Sequence, residues 1–263
     1  MKSTLLLVLL CQAALPARAA CEPIKLGFID QSRPPYYMGS GAVEAKPPGA
    51  GVELLREAAA SAGCAVTTVR MPQPRLRTAL ETGALDAVPI DAVGHDLEAF
   101  AFPLDHQGLP DKDKAMRLWT VVFVRAADKV PRDADPLQYF KGKRLGLTHG
   151  APYAQQFRDA GIIVDDGAVD SLRNLDKIKL GRVDGFAIAL AGPTDMDTLV
   201  ASRFGGELVR LDKPLRMAHV WMALSHSWQA RNKEAADAMW SWFGANGSAR
   251  FRVLLKKYDT NQP

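Results

Sequence analysis

The sequence predicts an α/β protein of two similar lobes, each a mainly parallel sheet flanked by helices. Two observations carry this prediction. Strand and helix patterns alternate twice along the chain, which is typical of parallel sheets with right-handed crossovers. A Gly-x-x-Asp phrase stands at the same place in both blocks, at Gly83–Asp86 and Gly181–Asp184. In each copy the glycine suits the left-handed end of a helix, and the apolar run after the aspartate suits a buried strand.

The elements of the two blocks follow the same order: strand, helix, strand, helix, strand. In the first block the predicted ranges are 24–29, 51–61, 65–69, 74–81 and 86–90, with Gly63 ending the first helix. In the second block they are 144–147, 153–159, 162–164, 172–180 and 184–188. The repetition predicts two α/β lobes built on one plan.

The tail departs from this plan. A strand over 220–224 precedes a helix in which Ala235, Met239, Trp242 and Phe243 share one face, and a last short helix is expected around Leu254. We place the first lobe at 20–103, the second at 104–219 and the return to the first at 220–263. The chain then crosses between lobes twice, in 100–124 and 211–224, and two crossings make a hinge.

The first 19 residues have the pattern of a secretory signal peptide. Lys2 precedes the apolar segment 5–10, and small residues follow up to a cleavage site before Ala20. Lipidation at Cys21 is the alternative, but Arg18 stands where an aliphatic residue is needed. We therefore expect a protein exported to the periplasm.

Export determines how the cysteines are interpreted. Cys11 leaves with the leader, so Cys21 and Cys64 remain as a pair in an oxidising compartment. Each precedes a predicted strand of the same sheet, and a disulfide between them would stabilise the fold by about 4 kcal/mol. Two unpaired buried thiols are the alternative.

Composition excludes several functions. The chain has 33 basic and 29 acidic residues, a balance that gives no basis for nucleic-acid binding. Its five histidines lack metal-site spacing, so we expect neither a metal nor a cofactor. No nucleophile elbow, paired catalytic carboxylates or Ser-x-x-Lys phrase is present, so we expect no enzyme. We also expect a monomer.

Several phrases lie in an order that resembles a known family. They are Pro34–Tyr37 after the first strand, Gly51–Leu55 opening the first helix, Phe140–Leu147 entering the second lobe, and Gly150–Tyr153 after that strand. The chain resembles extracellular solute-binding proteins of family 3, the type II periplasmic binding proteins of ABC importers, over nearly its whole length after the leader. The resemblance implies a ligand cleft at the hinge and a closed form presented to an inner-membrane permease.

Two departures from the family bear on the ligand. Members that bind amino acids hold the α-carboxylate with an Arg and the amino group with an Asp. Here the Arg position falls within 94–96, in a stretch without Arg or Lys, and the Asp position falls at Ala189 or Leu190. Since burying an unpaired carboxylate costs several kcal/mol, we expect a small polar or anionic organic solute rather than a standard α-amino acid in the usual pose.

Candidate ligand residues of the first lobe follow its strands. Arg75 follows the second strand, where a family subgroup carries a Pro-Trp-x-Arg phrase, although Gln73 replaces the Trp. Its guanidinium suits a carboxylate or phosphate, and the alternative is a solvent-facing side chain. Tyr36 and Tyr37 follow the first strand and offer an apolar face with a hydroxyl, or else one of them packs under the adjacent loop.

Further candidates follow the later strands. His149, Gly150 and Tyr153 form the strand-to-helix turn of the second lobe, where backbone N–H groups favour an anionic group. Asp91 and His95 follow the third strand of the first lobe and face the same cleft if the strands are parallel, or else cap the turn.

Three functions remain open from sequence. The leading interpretation is a binding protein for ABC import. A ligand-sensing accessory protein for a membrane receptor is the second. A periplasmic dehydratase on the same fold, similar to cyclohexadienyl dehydratases, ranks third because no catalytic acid or base is evident.

Overall fold

The computed structural model describes residues 21–91 and 96–259. The predicted leader and His95 lie outside the described residues. In chain order the elements are β1 (Ile24–Ile29), α1 (Ala50–Ser61), β2 (Val66–Met71), α2 (Gln73–Glu81), β3 (Ala87–Asp91), α3 (Asp96–Ala99), β4 (Met116–Arg125), α4 (Pro136–Tyr139), β5 (Arg144–Thr148), α5 (Ala154–Asp159), β6 (Ile163–Ala168), α6 (Ser171–Lys179), β7 (Gly185–Leu190), α7 (Asp197–Phe204), β8 (Leu208–Arg210), β9 (Arg216–Leu224), α8 (His226–Arg231) and α9 (Lys233–Asp259).

The two α/β blocks form as predicted. In the first lobe β1 pairs with β2 and β3 in parallel, and in the second β5 pairs with β6 and β7 in parallel. Gly83 and Gly181 follow α2 and α6 with φ of 73° and 66°, the left-handed conformation that favours glycine. The repeated Gly-x-x-Asp phrase therefore marks equivalent corners of the two lobes.

Two long antiparallel strands connect the lobes. Met116 of β4 lies opposite Val220 of β9, and Thr120 lies opposite Arg216. Because β9 also pairs with β3 and β4 also pairs with β7, the described strands form one continuous sheet in the order β2-β1-β3-β9-β4-β7-β5-β6, with β8 beside β4. This ribbon is the hinge element of the fold.

The carboxyl-terminal helix differs from the prediction. We expected a separate last helix, but α9 runs without a break over 27 residues. Gly244 lies inside it, where a Cβ would approach the Asp113 carbonyl oxygen to 2.5 Å. This glycine permits close packing and does not end the helix. On α1, Glu53 and Glu57 form ion pairs with Lys257 and Arg250 of α9.

A disulfide closes the amino-terminal segment onto the sheet. Cys21 and Cys64 are bonded, with 43 residues of sequence separation, which confirms the paired interpretation. None of the helices in the described part of the chain is long and apolar enough to cross a membrane.

Candidate functional site

A cavity of about 170 Å³ lies between the lobes. Residues at the carboxyl ends of strands from both lobes line it, including Ile29 of β1, Asp91 of β3, Thr148 of β5 and Ala189 of β7. Open α/β sheets bind ligands at this end of their strands. Most of the remaining lining is apolar or aromatic, a composition typical of small-molecule sites.

Tyr36 and Tyr37 both line the cavity. The Tyr36 hydroxyl donates to the Asp195 carboxylate and accepts from the Ala191 N–H at 3.2 Å. The Tyr37 ring stacks on Phe28 at 5.9 Å between centroids. Burial raises the pKa of both phenols, and the Asp195 charge raises that of Tyr36 further. Both hydroxyls therefore stay protonated and can act as donors.

Arg33 lines the cavity from the first lobe, although no sequence pattern had singled it out. Its Nη2 donates to the Ala189 carbonyl of the second lobe, and its guanidinium lies 5.6 Å from the Tyr36 ring centroid. Its Nε is buried and has no hydrogen-bond partner among the described residues. The sequence feature that could have indicated Arg33 is its position directly before the Pro34–Tyr37 phrase.

The prediction that Arg75 faces the cleft does not agree with its position in the structure. Arg75 is exposed and lies outside the cavity lining, whereas Arg77 lines the cavity. Two residues along a helix rotate a side chain by about 200°, so the two arginines of α2 point to different sides. Arg77 pairs with the fully buried Asp96 and donates to the Asp91 carbonyl at 3.2 Å.

Asp91 lines the cavity with its carboxylate already engaged. Arg216 of β9 donates to both carboxylate oxygens, at 2.6 and 2.9 Å. The hydrogen bond to Asp91 raises the pKa of Arg216. The Arg216 guanidinium also lies 5.4 Å from the ring centroid of Tyr153. Asp91 thus anchors the hinge strand to the first lobe, a role that sequence position alone did not indicate.

The turn between β5 and α5 supplies the second-lobe wall. Tyr153 is buried and lines the cavity, and burial raises its pKa. His149 lines the cavity while largely exposed, with Nδ1 3.2 Å from the Asp166 carbonyl. Gly150 has a φ of 77°, and a Cβ on it would lie 3.1 Å from the Cβ of Gln73 in the first lobe. Gly150 therefore packs against α2 and is not itself among the residues that line the cavity.

The positions of the missing family anchors are occupied differently. Asp96 stands within the segment where an amino-acid-binding relative would carry its Arg, and Ala189 stands where the Asp is expected. The charged residues that line the cavity are Arg33, Arg77 and Asp91, together with His149. In the described parts of the chain, no group of three or more His, Cys, Asp or Glu side chains is placed to hold a metal ion.

The two-lobed α/β fold with a cavity at its hinge strands is that of the periplasmic binding proteins. Similar solved structures include the GluR0 ligand-binding core from Nostoc punctiforme in complex with L-glutamate, at 16% identity, over 90% of this chain and 99% of that one, with a TM-score of 0.63. A histidine kinase sensor domain with similarity to periplasmic binding proteins matches at 16% identity, over 92% and 97%, with a TM-score of 0.65.

A third similar structure is the arginine-, lysine-, histidine-binding protein ArtJ from Geobacillus stearothermophilus, at 16% identity, over 92% of this chain and 96% of that one, with a TM-score of 0.64. No protein-family model matches the chain, and no curated protein matches its sequence. At these identities the structural likeness establishes the fold alone.

Proposed function

We propose that this protein is a periplasmic solute-binding protein that captures a small organic anion between its lobes. The observation that carries the proposal is Arg33, which lines the largely apolar cavity and reaches from the first lobe to a second-lobe carbonyl. Its buried Nε has no hydrogen-bond partner among the residues that the structure describes. A buried, unpaired donor on a cation is costly unless a ligand satisfies it. A carboxylate or a similar oxyanion group fits this donor.

The rest of the cavity favours an apolar body on that anion. Phe28, Leu55, Ile188 and Phe251 line it together with the tyrosines. Asp91, the carboxylate of the lining, is already bound by Arg216, so an α-ammonium group would compete with a guanidinium for it. We therefore propose an organic anion rather than a zwitterionic α-amino acid in the usual pose.

Delivery to an inner-membrane ABC permease is the proposed physiological role, because closure of two lobes upon a solute produces a distinct surface for a partner to recognise. Sensing for a membrane receptor is the second candidate, favoured by the likeness to a histidine kinase sensor domain. A permease and an ATPase encoded beside the gene would favour transport.

The proposal is tested by a ligand screen with matched variants. Purified protein is screened by thermal shift and native mass spectrometry against organic acids, with amino acids as a comparison set. Ligand at about 100 times its Kd should add about 2.7 kcal/mol of stability. Arg33→Gln should weaken binding of the best acid by about tenfold or more, since a hydrogen bond to a charged group contributes about 1.5–3 kcal/mol.

Arg75→Gln is the matched control, because Arg75 is an exposed arginine outside the cavity lining. It should leave affinity unchanged. Equal affinity in wild type and Arg33→Gln would contradict the assigned anion contact, and selective, tight binding of an ordinary α-amino acid would contradict the proposed ligand class.

A further inference from the structure

A second cavity, of about 520 Å³, lies behind the hinge strands. Successive side chains of a strand point to opposite faces of the sheet. On β4, Leu118 lines the cavity between the lobes, whereas Arg117 and Trp119 line the second one. On β9, Val220 lines the cavity between the lobes and His219 lines the second one. We call the second cavity the rear cavity. It adjoins the proposed solute site: Met116, Ala191 and Phe251 line both cavities, whereas the charged residues that line the rear cavity do not line the other.

Both lobes contribute to the rear cavity. The loop after β7 supplies Gly192, Thr194 and Asp195 from the second lobe, and α9 supplies Ser248 and Arg252 from the side of the first lobe. Trp119 adds an aromatic wall, with the Arg117 guanidinium 5.9 Å from its ring centroid. The cavity is therefore built by four separate parts of the chain, since His219 of β9 also lines it.

The charge of the rear cavity is predominantly positive. Lys112, Arg117 and Arg252 line it, and across the described residues none of the three forms an ion pair with a carboxylate. Arg117 lies directly opposite His219 on the paired strands. The single lining carboxylate, Asp195, accepts hydrogen bonds from the Tyr36 hydroxyl and from the Gly192 N–H at 2.7 Å. Three cations thus share one cavity with one engaged carboxylate.

We propose that the rear cavity binds a small multivalent oxyanion, such as a phosphate group or a tricarboxylate, between Lys112, Arg117 and Arg252. The three cations have exposed side chains that line one cavity, and a multivalent anion held there would offset their like charges while accepting charge-assisted hydrogen bonds. Ser248 and Thr194 offer hydroxyl donors at the edge of the same cavity. This site is additional to the solute site and does not depend on the proposed function.

His219 provides a local reporter. Burial lowers its pKa first, and the neighbouring charges of Lys112 and Arg117 lower it further, while Asp91 acts weakly in the opposite direction. An oxyanion held beside Lys112 and Arg117 would offset their charges and raise the His219 pKa. The imidazole can be followed by NMR, with His219→Gln identifying its resonance among the five histidines.

The test titrates the whole exported chain with inorganic phosphate and with citrate at fixed ionic strength, by calorimetry and by NMR of His219. Saturable binding with an upward shift of the His219 pKa is expected. Arg117→Gln and Arg252→Gln should each weaken binding by about tenfold. Arg182→Gln, an exposed arginine outside both cavities, should bind like wild type.

Two results would overturn the proposal. One is an absence of saturable anion binding. Anion affinities of Arg117→Gln and Arg252→Gln equal to that of Arg182→Gln would count in the same way. The other comes from a second arm with vesicles that contain an anionic phospholipid. Co-sedimentation that Arg117→Gln abolishes, without binding of the free anions, would assign the cations to a membrane surface instead. The expected result is that the vesicles do not retain the protein.

Discussion

The hydroxyl of Tyr36 donates a hydrogen bond to the carboxylate of Asp195, and the two residues belong to opposite lobes. The same hydroxyl accepts from the Ala191 N–H, and Arg33 donates to the Ala189 carbonyl close by. These three contacts between the lobes thus meet one short segment, from Ala189 near the end of β7 to Asp195. Because Tyr36 and Arg33 also line the cavity, the residues proposed to meet the solute also hold the lobes together.

Replacing Tyr36 by Phe tests this coupling. The substitution keeps the ring but removes the donor to Asp195 and the acceptor for Ala191. Since a hydrogen bond to a charged group contributes about 1.5–3 kcal/mol, we expect solute affinity to fall by about tenfold, measured by calorimetry, and a larger radius of gyration by small-angle scattering. Tyr139→Phe, on α4 and outside the cavity, is the control. Unchanged affinity and compactness in Tyr36→Phe would show that this contact does not stabilise the closed form.

Replacing Gly150 by Ala tests the approach of the two lobes. A Cβ there would crowd Gln73 and Pro74 of the opposite lobe at 3.1 and 3.2 Å, whereas a Cβ on Gly142 would meet nothing within 4 Å. Both glycines have positive φ, of 77° and 70°, so alanine should cost about 1–2 kcal/mol of folding stability at either site. Only Gly150→Ala should also weaken solute binding. Calorimetry and urea unfolding of the pair separate the two effects, and equal affinities would contradict the steric account.

The ion pair between Asp91 and Arg216 should stabilise the hinge strand. Only 15% of the Arg216 side chain and 11% of the Asp91 side chain are exposed. Arg216→Met leaves a mostly buried carboxylate without its partner, which should lower the free energy of unfolding by about 3 kcal/mol. The double change with Asp91→Leu should recover most of that loss, because the unpaired charge is removed.

The control for this pair is Arg132→Met. Arg132 pairs with Asp212 at the surface, where both side chains are 55% exposed, and exposed pairs contribute about 0–1 kcal/mol. Urea unfolding of the four proteins, including the double variant, measures the difference. A loss in Arg216→Met no greater than in Arg132→Met would mean that the buried pair contributes little to stability.

The contact between α1 and α9 should weaken in acid. Burial acts to raise the pKa of Glu53, but hydrogen bonds from Lys257 and Tyr258 outweigh it and hold the pKa below its ordinary value. The hydrogen bond from Arg250 likewise lowers the pKa of Glu57. The folded state then binds fewer protons than the unfolded state. The stabilisation from these two carboxylates is complete above the ordinary glutamate pKa of about 4.3. It is lost as pH falls through their lower pKa values in the folded state.

Urea unfolding between pH 6 and pH 3 measures this dependence. The double variant Glu53→Gln and Glu57→Gln should lose less stability over that interval than wild type, while starting from a lower value at pH 6. Glu81→Gln, at the exposed end of α2, should follow the wild-type profile. Parallel profiles for the double variant and wild type would place the acid sensitivity elsewhere in the molecule.

The sequence was sufficient for the α/β elements because each has a local cause. Apolar runs and glycine stops recur in both blocks, and the element boundaries agree within four residues. The continuous course of α9 could not be predicted from its glycines, since Gly244 is required by a contact with Asp113, far away in the chain. Local patterns indicate where a helix weakens but not what packs against it.

The site was harder to predict for a related reason. Arg75 and Arg77 are two residues apart, and choosing between them requires the rotational phase of α2 relative to the cleft. The partner of Asp91 is 125 residues away in the chain, and Arg33 acquires its role only because a strand of the other lobe brings the Ala189 carbonyl to it. Each of these depends on tertiary contacts that no local pattern encodes.

The most direct measurement is a crystal structure of the protein with the solute identified by the screen. We predict closed lobes, the solute between Tyr36, Tyr37 and Tyr153, and its anionic group within hydrogen-bond distance of the Arg33 guanidinium. A solute bound outside this cavity, or bound in it with its anionic group held by residues other than Arg33, would contradict the account.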